Sequence, residues 1–279
     1  MNEIVYLNGS WVEREQAALS PDDRGFIFAD GVYEVTKFYK GKAFRMSDHL
    51  ERLKRSLQEI SIDYPEIDQL EKISFELLQR NNMTDADAGV YWQITRGAHA
   101  RVHHFPANVK PGFYAFVYPL PSASEKLQKG IKVIVQDDIR WKRCDIKSVS
   151  LLPNTMLYNE AVKNGAGESI LVRDGFVTEA THSSVFAVKD GVLITRPLSN
   201  LILPGITRKV VMEICAKNQI PLEERLFTQN ELFEMDEVFI CGTGSEITPV
   251  VQTNEKLIGG NKPGPLTLKI QQLFFDLTK

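Results

Sequence analysis

Two residues of this 279-residue chain, Lys147 and Glu179, have types and positions that could support covalent chemistry. Lys147 follows an alternating segment that predicts a strand, and Glu179 follows a tight turn at Asp174-Gly175, so we expect the two residues on neighbouring strands. A lysine amine can form a Schiff base with an aldehyde, and a carboxylate on a neighbouring strand can keep a pyridine nitrogen protonated. Most lysines are solvated surface charges, however, so Lys147 carries little weight by itself.

Two glycine-containing stretches, Leu203 to Arg208 and Cys241 to Ser245, have the composition of anion-binding loops. The first places a proline and a glycine directly before a predicted helix, where backbone N–H groups can hold a phosphate. The second follows a strand predicted at Val238 to Ile240, and its glycines allow close approach to an anion. Each stretch is equally typical of an ordinary cap or turn, and Arg52, on a predicted helix, is typical of a solvated arginine.

Arg101 and His103 lie two residues apart in the segment 96–106. In an extended backbone this spacing places both side chains on one face, where a guanidinium and an imidazole could clamp a carboxylate. His99, His103 and His104 also suggest a metal site, but no nearby cysteine and no HExxH motif accompany them. The sequence therefore predicts no metal site, and a solvated loop remains the alternative to a carboxylate clamp.

Hydrophobic periodicity predicts a two-domain α/β (α+β) chain. Tyr118 to Ser124 has two prolines among small polar residues, which is typical of a linker. We therefore predict a small α/β domain over residues 1–117, a linker over 118–124 and a larger strand-rich domain over 125–279. The predicted strands include 4–7, 11–12, 32–39, 90–95, 113–118 and 238–240, and the predicted helices start at Ser47 or cover 67–80, 155–163, 206–218, 229–233 and 266–277.

Composition restricts the classes of function. The net charge of −3 gives no basic surface for a nucleic acid, and no run of 18 apolar residues predicts a membrane span. Cys144, Cys215 and Cys241 are far apart, which argues against a disulfide framework or a zinc site and fits a reducing compartment. We predict a cytoplasmic protein whose partners are small molecules rather than nucleic acids or membranes.

Several segments make the chain resemble the fold-type IV (class IV) pyridoxal phosphate aminotransferases, and among them the D-amino-acid transaminases, or D-alanine aminotransferases. The resemblance extends over nearly the whole length. The lysine, glutamate and phosphate segments resemble the whole fold type, whereas Arg101-Val102-His103 resembles the D-amino-acid branch. The matching segments are Asp23 to Phe26, Asp30 to Val35, His49 to Leu53, Thr95 to Gly97, Arg101 to Pro106, Asp138 to Trp141, Arg143 to Ser148, Gly205 to Arg208 and Ser245 to Val250.

The resemblance implies a role for each candidate residue. It implies that Lys147 forms the Schiff base with pyridoxal 5′-phosphate and carries protons, and that Glu179 pairs with the pyridine nitrogen. It also implies a homodimer in which Arg101 and His103 reach the active site of the other subunit. The remaining implied roles are phosphate binding by Arg52, Ile206, Thr207 and Thr243, cofactor binding through the backbone of Gly242, packing of Leu203 on the cofactor ring, and binding of the substrate carboxylate by Tyr33, Arg101 and His103.

The implied reaction transfers the amino group of D-alanine or another D-amino acid to a 2-oxo acid such as 2-oxoglutarate by a ping-pong mechanism. Two positions depart from the D-amino-acid pattern. His182 stands in Ala180 to Ser184, where a glycine and a run of serines are common, and leaves the polarity and width of the side-chain pocket open. Gly242 stands where a serine is common and resembles the branched-chain enzymes.

The alternatives on the same fold are a branched-chain L-amino-acid transaminase or an aminodeoxychorismate-lyase-like enzyme, which would share Lys147 and Glu179. A different class is a non-enzymatic metal-binding module built on the histidines.

Overall fold

The computed structural model describes residues 3–279, and the chain divides into two compact units. The first unit is delimited as Met1–Pro121 with Ile146–Ser150, and the second as Ser122–Asp145 with Leu151–Lys279. Residues 118–121 of the predicted linker thus fall in the first unit and residues 122–124 in the second. Ile146–Ser150, which contains Lys147, belongs to the first unit although its sequence neighbours on both sides belong to the second.

The first unit is built on an antiparallel sheet. Its elements are β1 (Ile4–Leu7), β2 (Ser10–Glu13), α1 (Arg24–Phe28), β3 (Gly31–Tyr39), β4 (Lys42–Ala43), α2 (Met46–Glu59), α3 (Leu70–Arg80), β5 (Ala88–Thr95) and β6 (Gly112–Pro119), with 3-10 helices at Arg14–Gln16 and Pro65–Gln69. Among the described residues the sheet has six strands in the order β2-β1-β6-β5-β3-β4. The strands predicted at 4–7, 32–39, 90–95 and 113–118 are confirmed as β1, β3, β5 and β6.

Turn chemistry fixes the hairpin of β1 and β2. Asn8 and Gly9 have φ values of 49° and 94°, the left-handed conformation that a two-residue hairpin turn requires. Leu7 consequently pairs with Ser10 in the antiparallel register. The predicted hairpin at Asn8-Gly9 is therefore confirmed.

Helix α2 packs on β3 through a face of buried leucines. Leu53 and Leu57 are four residues apart, so they lie on the same side of the helix. The helix begins at Met46, one residue before the predicted start at Ser47, which is within the usual spread of helix-end assignments. This helix presents His49, Arg52 and Ser56 toward the same side, because their spacing is also helical.

Helix α3 is shorter than predicted. The periodicity predicted one helix over 67–80, but the α-helix begins at Leu70 and a 3-10 helix over Pro65–Gln69 precedes it. Proline fixes φ and has no N–H to donate, so Pro65 favours a helix start at that point. The periodicity located the helix but not the change of helix type in its first turns.

The second unit is built on a mixed sheet. Its elements are α4 (Ser124–Lys129), β7 (Ile131–Asp137), α5 (Leu152–Lys163), β8 (Glu168–Arg173), β9 (Phe176–Ala180), β10 (Ser184–Lys189), β11 (Val192–Thr195), α6 (Ile206–Lys217), β12 (Leu222–Glu224), α7 (Gln229–Leu232), β13 (Glu237–Gly242), β14 (Glu246–Thr253), β15 (Lys256–Leu257) and α8 (Pro265–Asp276). Among the described residues the strand order is β12-β11-β10-β13-β14-β7-β8-β9, with β15 paired to β14. Strand β7 is parallel to both its neighbours, and β11 is parallel to β12. The predicted helices correspond to α5, α6, α7 and α8.

Two hairpins of this sheet carry candidate residues. Asp174-Gly175 connects β8 to β9, and Asp190-Gly191 connects β10 to β11, each with both φ values positive. The first hairpin places Glu179 on β9, and the segment that follows leads into Ser184 at the start of β10. Across residues 3–279, no helix combines the length and the apolar character that crossing a membrane requires.

Candidate active site

Glu179 is almost fully buried on β9, where two donors hold its carboxylate. Its Oε1 accepts a hydrogen bond from Nη1 of Arg140 at 2.5 Å, and its Oε2 accepts one from the backbone N–H of Leu203 at 3.1 Å. Burial raises the pKa of Glu179 above its usual value, and the charge of Arg140 acts against that rise. These two hydrogen bonds fix the orientation of the Glu179 carboxylate and connect the backbone of Leu203 to it.

Arg140 is fixed in turn by a buried aspartate. Its Nε and Nη2 each donate to one oxygen of Asp138 at 2.9 Å, which makes the pair bidentate. Thr178 Oγ1 donates to Asp138 at 2.9 Å, and Nη2 of Arg173 donates to the carbonyl of Arg140 at 2.7 Å. Although burial opposes its ionisation, Asp138 has its pKa lowered by Arg140. No role for Asp138 or Arg140 followed from the sequence, although both lie in a segment that matches the family.

The first predicted phosphate element is the start of α6. Gly205 is its N-cap, and no described side chain caps the helix. The first-turn N–H groups have no partner within the helix, so Ile206 and Thr207 place donors there. Gly205 also packs closely on β10, since a Cβ at this position would lie 2.8 Å from Oγ of Ser184.

The second predicted phosphate element is the loop that begins at Gly242, the last residue of β13. A Cβ at Gly242 would lie 3.0 Å from Oγ of Ser245 and 3.4 Å from Oγ of Ser183, and these two hydroxyls are 2.8 Å apart. Ser183 directly precedes Ser184, so the adjacent serines contact both phosphate elements. Hydroxyls and a glycine without a side chain are the groups that can approach a phosphate closely, so the residues present fit this anion. Thr243, next to Gly242, is half-buried.

His182, one of the two departures from the family pattern, is oriented by a buried carboxylate. Its Nδ1 lies 2.8 Å from Oε2 of Glu168, whose side chain has no exposed surface. Its ring contacts Tyr158 edge-on, with the centroids 5.1 Å apart. The other oxygen of Glu168 accepts hydrogen bonds from the backbone N–H and the hydroxyl of Thr181. The His182 side chain nevertheless remains 54% exposed.

Lys147 lies in the irregular segment Ile146–Ser150, which runs beside the start of β3. The backbone N–H of Tyr33 donates to the carbonyl of Lys147 at 3.0 Å, and Ser148 forms an isolated bridge with Val32. The prediction that Lys147 lies on a strand is therefore wrong, because a single bridge does not extend into a ladder. Of the two residues expected on neighbouring strands, only Glu179 occupies one.

The Lys147 side chain lies over the ring of Tyr33, with Nζ 4.3 Å from the ring centroid. Tyr33 in turn stacks on Tyr91, with the centroids 5.6 Å apart. The backbone N–H of Lys147 donates to Oγ of Ser56 on α2 at 3.3 Å. Both the backbone and the side chain of the lysine are thus held by β3 and α2.

Arg52 on α2 is not the solvated surface arginine that its residue type alone suggests, because it forms a buried ion pair with Glu34. Its Nε and Nη2 donate to the two oxygens of Glu34 on β3, at 2.7 Å and 2.9 Å. Nδ1 of His49 lies 2.8 Å from the same carboxylate. Although burial opposes its ionisation, Glu34 has its pKa lowered well below the usual range by Arg52. Burial also lowers the pKa of His49, and the charge of Lys147 adds to this effect.

Arg101 and His103 both contact the ring of Phe28, the last residue of α1. The Arg101 guanidinium carbon lies 5.2 Å from the ring centroid, and the His103 ring centroid lies 5.5 Å from it. Arg101 and His103 lie in an irregular loop, outside the described strands, and their side chains converge on this ring. In the described part of the chain, no group of three histidine, cysteine or acidic side chains is arranged to hold a metal.

These contacts assemble the sequence-predicted residues into two sets, one in each unit. In the first unit Tyr33 contacts Lys147, and Glu34, next to Tyr33, binds Arg52. In the second unit the backbone of Leu203 contacts Glu179. Gly205, which precedes Ile206 and Thr207, lies close to Ser184, and Gly242, which precedes Thr243, lies close to Ser183.

The chain matches a known family over most of its length. The model of the family described as amino-transferase class IV matches residues 31–253. The chain therefore belongs to the class IV aminotransferases, and its cofactor is pyridoxal 5′-phosphate. The resemblance stated from the sequence and the assignment as an aminotransferase are confirmed.

Within this family the chain is similar to D-alanine aminotransferases. It is 41% identical to the enzyme of Bacillus licheniformis over 269 residues, which cover 96% of this chain and 94% of that protein. It is 42% identical to the enzyme of Staphylococcus haemolyticus over 272 residues, which cover 97% of this chain and 96% of that protein.

Solved structures show the same fold. The branched-chain amino acid aminotransferase of Escherichia coli superposes with a TM-score of 0.94 at 27% identity, covering 100% of this chain and 95% of that one. The branched-chain enzyme of Thermoproteus uzoniensis gives a TM-score of 0.88 at 28% identity, covering 99% and 94%. The predicted fold-type IV architecture is thereby confirmed.

Proposed function

We propose that this protein is a D-amino-acid transaminase, which moves the amino group of D-alanine or another D-amino acid to a 2-oxo acid such as 2-oxoglutarate. The observation that carries the proposal is the sequence identity of 41% and 42% to two D-alanine aminotransferases over nearly the full chain. The convergence of Arg101 and His103 on one ring supports it, because a guanidinium and an imidazole together can clamp a carboxylate.

The described residues fit the cofactor. We propose that the Glu179 carboxylate accepts a hydrogen bond from the protonated ring nitrogen of the cofactor and that Leu203 packs on the cofactor ring. Lys147 supplies the amine that binds the cofactor aldehyde. From the family resemblance we also propose that Arg52, Ile206, Thr207, Gly242 and Thr243 bind the phosphate.

The chemistry is divided between the cofactor and the protein. When bound, pyridoxal 5′-phosphate supplies an aldehyde that links to an amine and a ring that withdraws electrons from the substrate Cα. Lys147 Nζ would act as the general base that takes the Cα proton and as the acid that gives the proton back. Glu179, held by Arg140 and Leu203, keeps the ring nitrogen protonated. The same groups act in reverse on the second 2-oxo acid, which gives ping-pong kinetics.

The substrate enantiomer that the enzyme accepts is determined by the position of the residues that bind the substrate carboxylate. Lys147 removes a proton from one fixed side of Cα, so the enantiomer accepted depends on where the substrate carboxylate is held. We assign that clamp to Tyr33, Arg101 and His103.

The choice of enantiomer tests this function. We expect the purified enzyme to transfer the amino group from D-alanine to 2-oxoglutarate with a kcat/KM at least about 100-fold above that for L-leucine. The absorbance of the bound cofactor should shift on adding D-alanine but not L-leucine. A preference for L-leucine would establish the branched-chain alternative.

We further propose that the enzyme is a homodimer in which Arg101 and His103 serve the active site of the partner subunit. Lys147→Ala and Arg101→Ala should each have low activity with D-alanine. Coexpressing the two should restore about a quarter of wild-type activity, because half of the dimers are mixed and each mixed dimer has one complete site. Size-exclusion chromatography with light scattering supplies the control for dimer formation. Activity no higher than the sum of the two single variants would show that Arg101 acts within its own subunit.

We also propose that the enzyme works in a reducing cytoplasm. Cys144, Cys215 and Cys241 are all free and buried, which supports this placement. Burial raises the pKa of the Cys144 and Cys215 thiols to about 11, so both remain protonated and unreactive at neutral pH.

A further inference from the structure

Phe28 receives three side chains on its ring, two of which are the candidate clamp residues. The guanidinium carbons of Arg24 and Arg101 lie 4.6 Å and 5.2 Å from the ring centroid. The ring of His103 lies 5.5 Å away, tilted by 59°. In the described part of the chain, neither Arg101 nor His103 makes a hydrogen bond or an ion pair, so the Phe28 ring is the contact that holds both.

We propose that Phe28 is a positioning residue for the choice of substrate enantiomer. Its ring holds Arg101 and His103 in the arrangement in which they receive the substrate carboxylate. This inference rests on the proposed function, because it requires that these two residues bind that carboxylate.

The Phe28 ring and the loop that carries Arg101 and His103 are rigid because a network of buried charged residues fixes them. The Asp30 carboxylate accepts hydrogen bonds from Nε of Arg24 and Nε of Arg96, each at 2.8 Å. Nη1 of Arg24 also donates to the carbonyl of Val102 at 2.6 Å. Val102 lies between the two clamp residues in the sequence, so Arg24 contacts both the Phe28 ring and the backbone of the clamp. Arg24 is only 2% exposed, and such a buried charge is tolerated because its donors are paired.

The network also fixes the loop on both sides of the clamp. The backbone N–H of Arg24 donates to the carbonyl of Gly97 at 2.9 Å, before the clamp. After the clamp, the guanidinium of Arg96 lies 3.6 Å from the centroid of the Phe105 ring. Nη1 and Nη2 of Arg96 donate to the carbonyls of Ser61 and Ile60 at 3.0 Å and 2.6 Å. The loop therefore has little freedom except in the clamp side chains themselves.

Electrostatics explain why a phenyl ring is suited to this position. Arg24 has its charge matched by Asp30, whereas Arg101 is paired with no described carboxylate. A carboxylate at position 28 would orient Arg101 but would also neutralise it. An aromatic face attracts the guanidinium without neutralising it, so the charge remains available to an anionic substrate.

The test compares two phenylalanines of the same short helix. Phe28→Leu should raise the KM for D-alanine about tenfold, with a smaller change in kcat, and should lower the D-alanine to L-leucine preference in kcat/KM. Phe26→Leu is the matched control, because Phe26 is 81% exposed, and it should leave both quantities within about twofold of wild type. The absorbance of the bound cofactor should be the same in all three proteins.

Two further variants separate positioning from a structural role. Phe28→Tyr keeps the ring and should retain the wild-type KM, and Phe28→Met replaces Phe28→Leu if the latter is unstable. In an Arg101→Ala background, Phe28→Leu should change the KM for D-alanine less than it does in the wild-type background, because one of the two residues through which it acts is absent.

Unchanged KM and enantiomer preference in Phe28→Leu, or an undiminished effect of Phe28→Leu without Arg101, would overturn the inference. The proposed function is tested by the kinetics of the wild-type enzyme alone. Either of these results with the variants would therefore contradict the role of Phe28 but not the proposed function. A wild-type preference for L-leucine would overturn both.

Discussion

Lys147→Ala should lower kcat for transfer from D-alanine to 2-oxoglutarate by on the order of 10⁴-fold or more, because it removes both the covalent anchor and the general base. The fold should persist, since the half-buried Lys147 side chain contacts the Tyr33 ring while the backbone makes the hydrogen bonds. The loss in kcat is measured by a steady-state assay of the purified variant, and circular dichroism verifies that the variant is folded.

The matched control is Lys142→Ala, which removes an exposed lysine five residues earlier and should leave kcat within about twofold. Adding a small primary amine to Lys147→Ala should restore part of the proton transfer, because the missing group is an amine. Appreciable turnover by Lys147→Ala without added amine would contradict the assignment.

Glu179→Gln should lower kcat by about 10²- to 10³-fold, because a neutral amide cannot keep the cofactor ring nitrogen protonated. The fold should survive, since Arg140 retains its bidentate pair with Asp138. The amide has one acceptor oxygen where the carboxylate has two, so either Arg140 Nη1 or the N–H of Leu203 loses its partner. Single-turnover mixing with D-alanine measures the loss directly in the chemical step.

A second buried glutamate provides the control for Glu179→Gln. Glu237 on β13 accepts two backbone hydrogen bonds at the start of α8, from Leu266 at 3.0 Å and from Thr267 at 2.7 Å. Glu237→Gln should lower the free energy of unfolding by about 1 kcal/mol and leave kcat unchanged. If Glu179→Gln behaves like Glu237→Gln, the glutamate has a structural role and does not act on the cofactor.

The periodic parts of the chain were the easiest to predict. Strands β1, β3, β5 and β6 and helices α5, α6 and α8 follow from alternation and helical spacing, because burial on one face imposes those periods on the sequence. The turn at Asn8-Gly9 follows from a backbone conformation that few residue types tolerate.

The irregular parts of the candidate site were predicted less well. Lys147 was expected on a strand but lies in a coil segment, because hydrogen bonds to β3 and α2, far away in the sequence, hold it. Arg101 and His103 lie in an irregular loop, and their side chains converge because both pack on Phe28, a contact that the sequence did not predict. Contacts between residues distant in the sequence leave no local period, so no local pattern reveals them.

The sequence by itself predicted the fold class and the candidate residues, because residue type and spacing carry the chemistry of the lysine, the glutamate and the glycine loops. The family and the role of each residue came from the resemblance of its segments to the class IV aminotransferases. Only the tertiary structure decided what holds those residues. It showed that Arg140 binds both Glu179 and Asp138, that Glu34 pairs with Arg52 and that the Phe28 ring contacts Arg101 and His103. The physical reason is that ion pairs and ring contacts form between side chains brought together by folding, and their partners can lie anywhere along the chain.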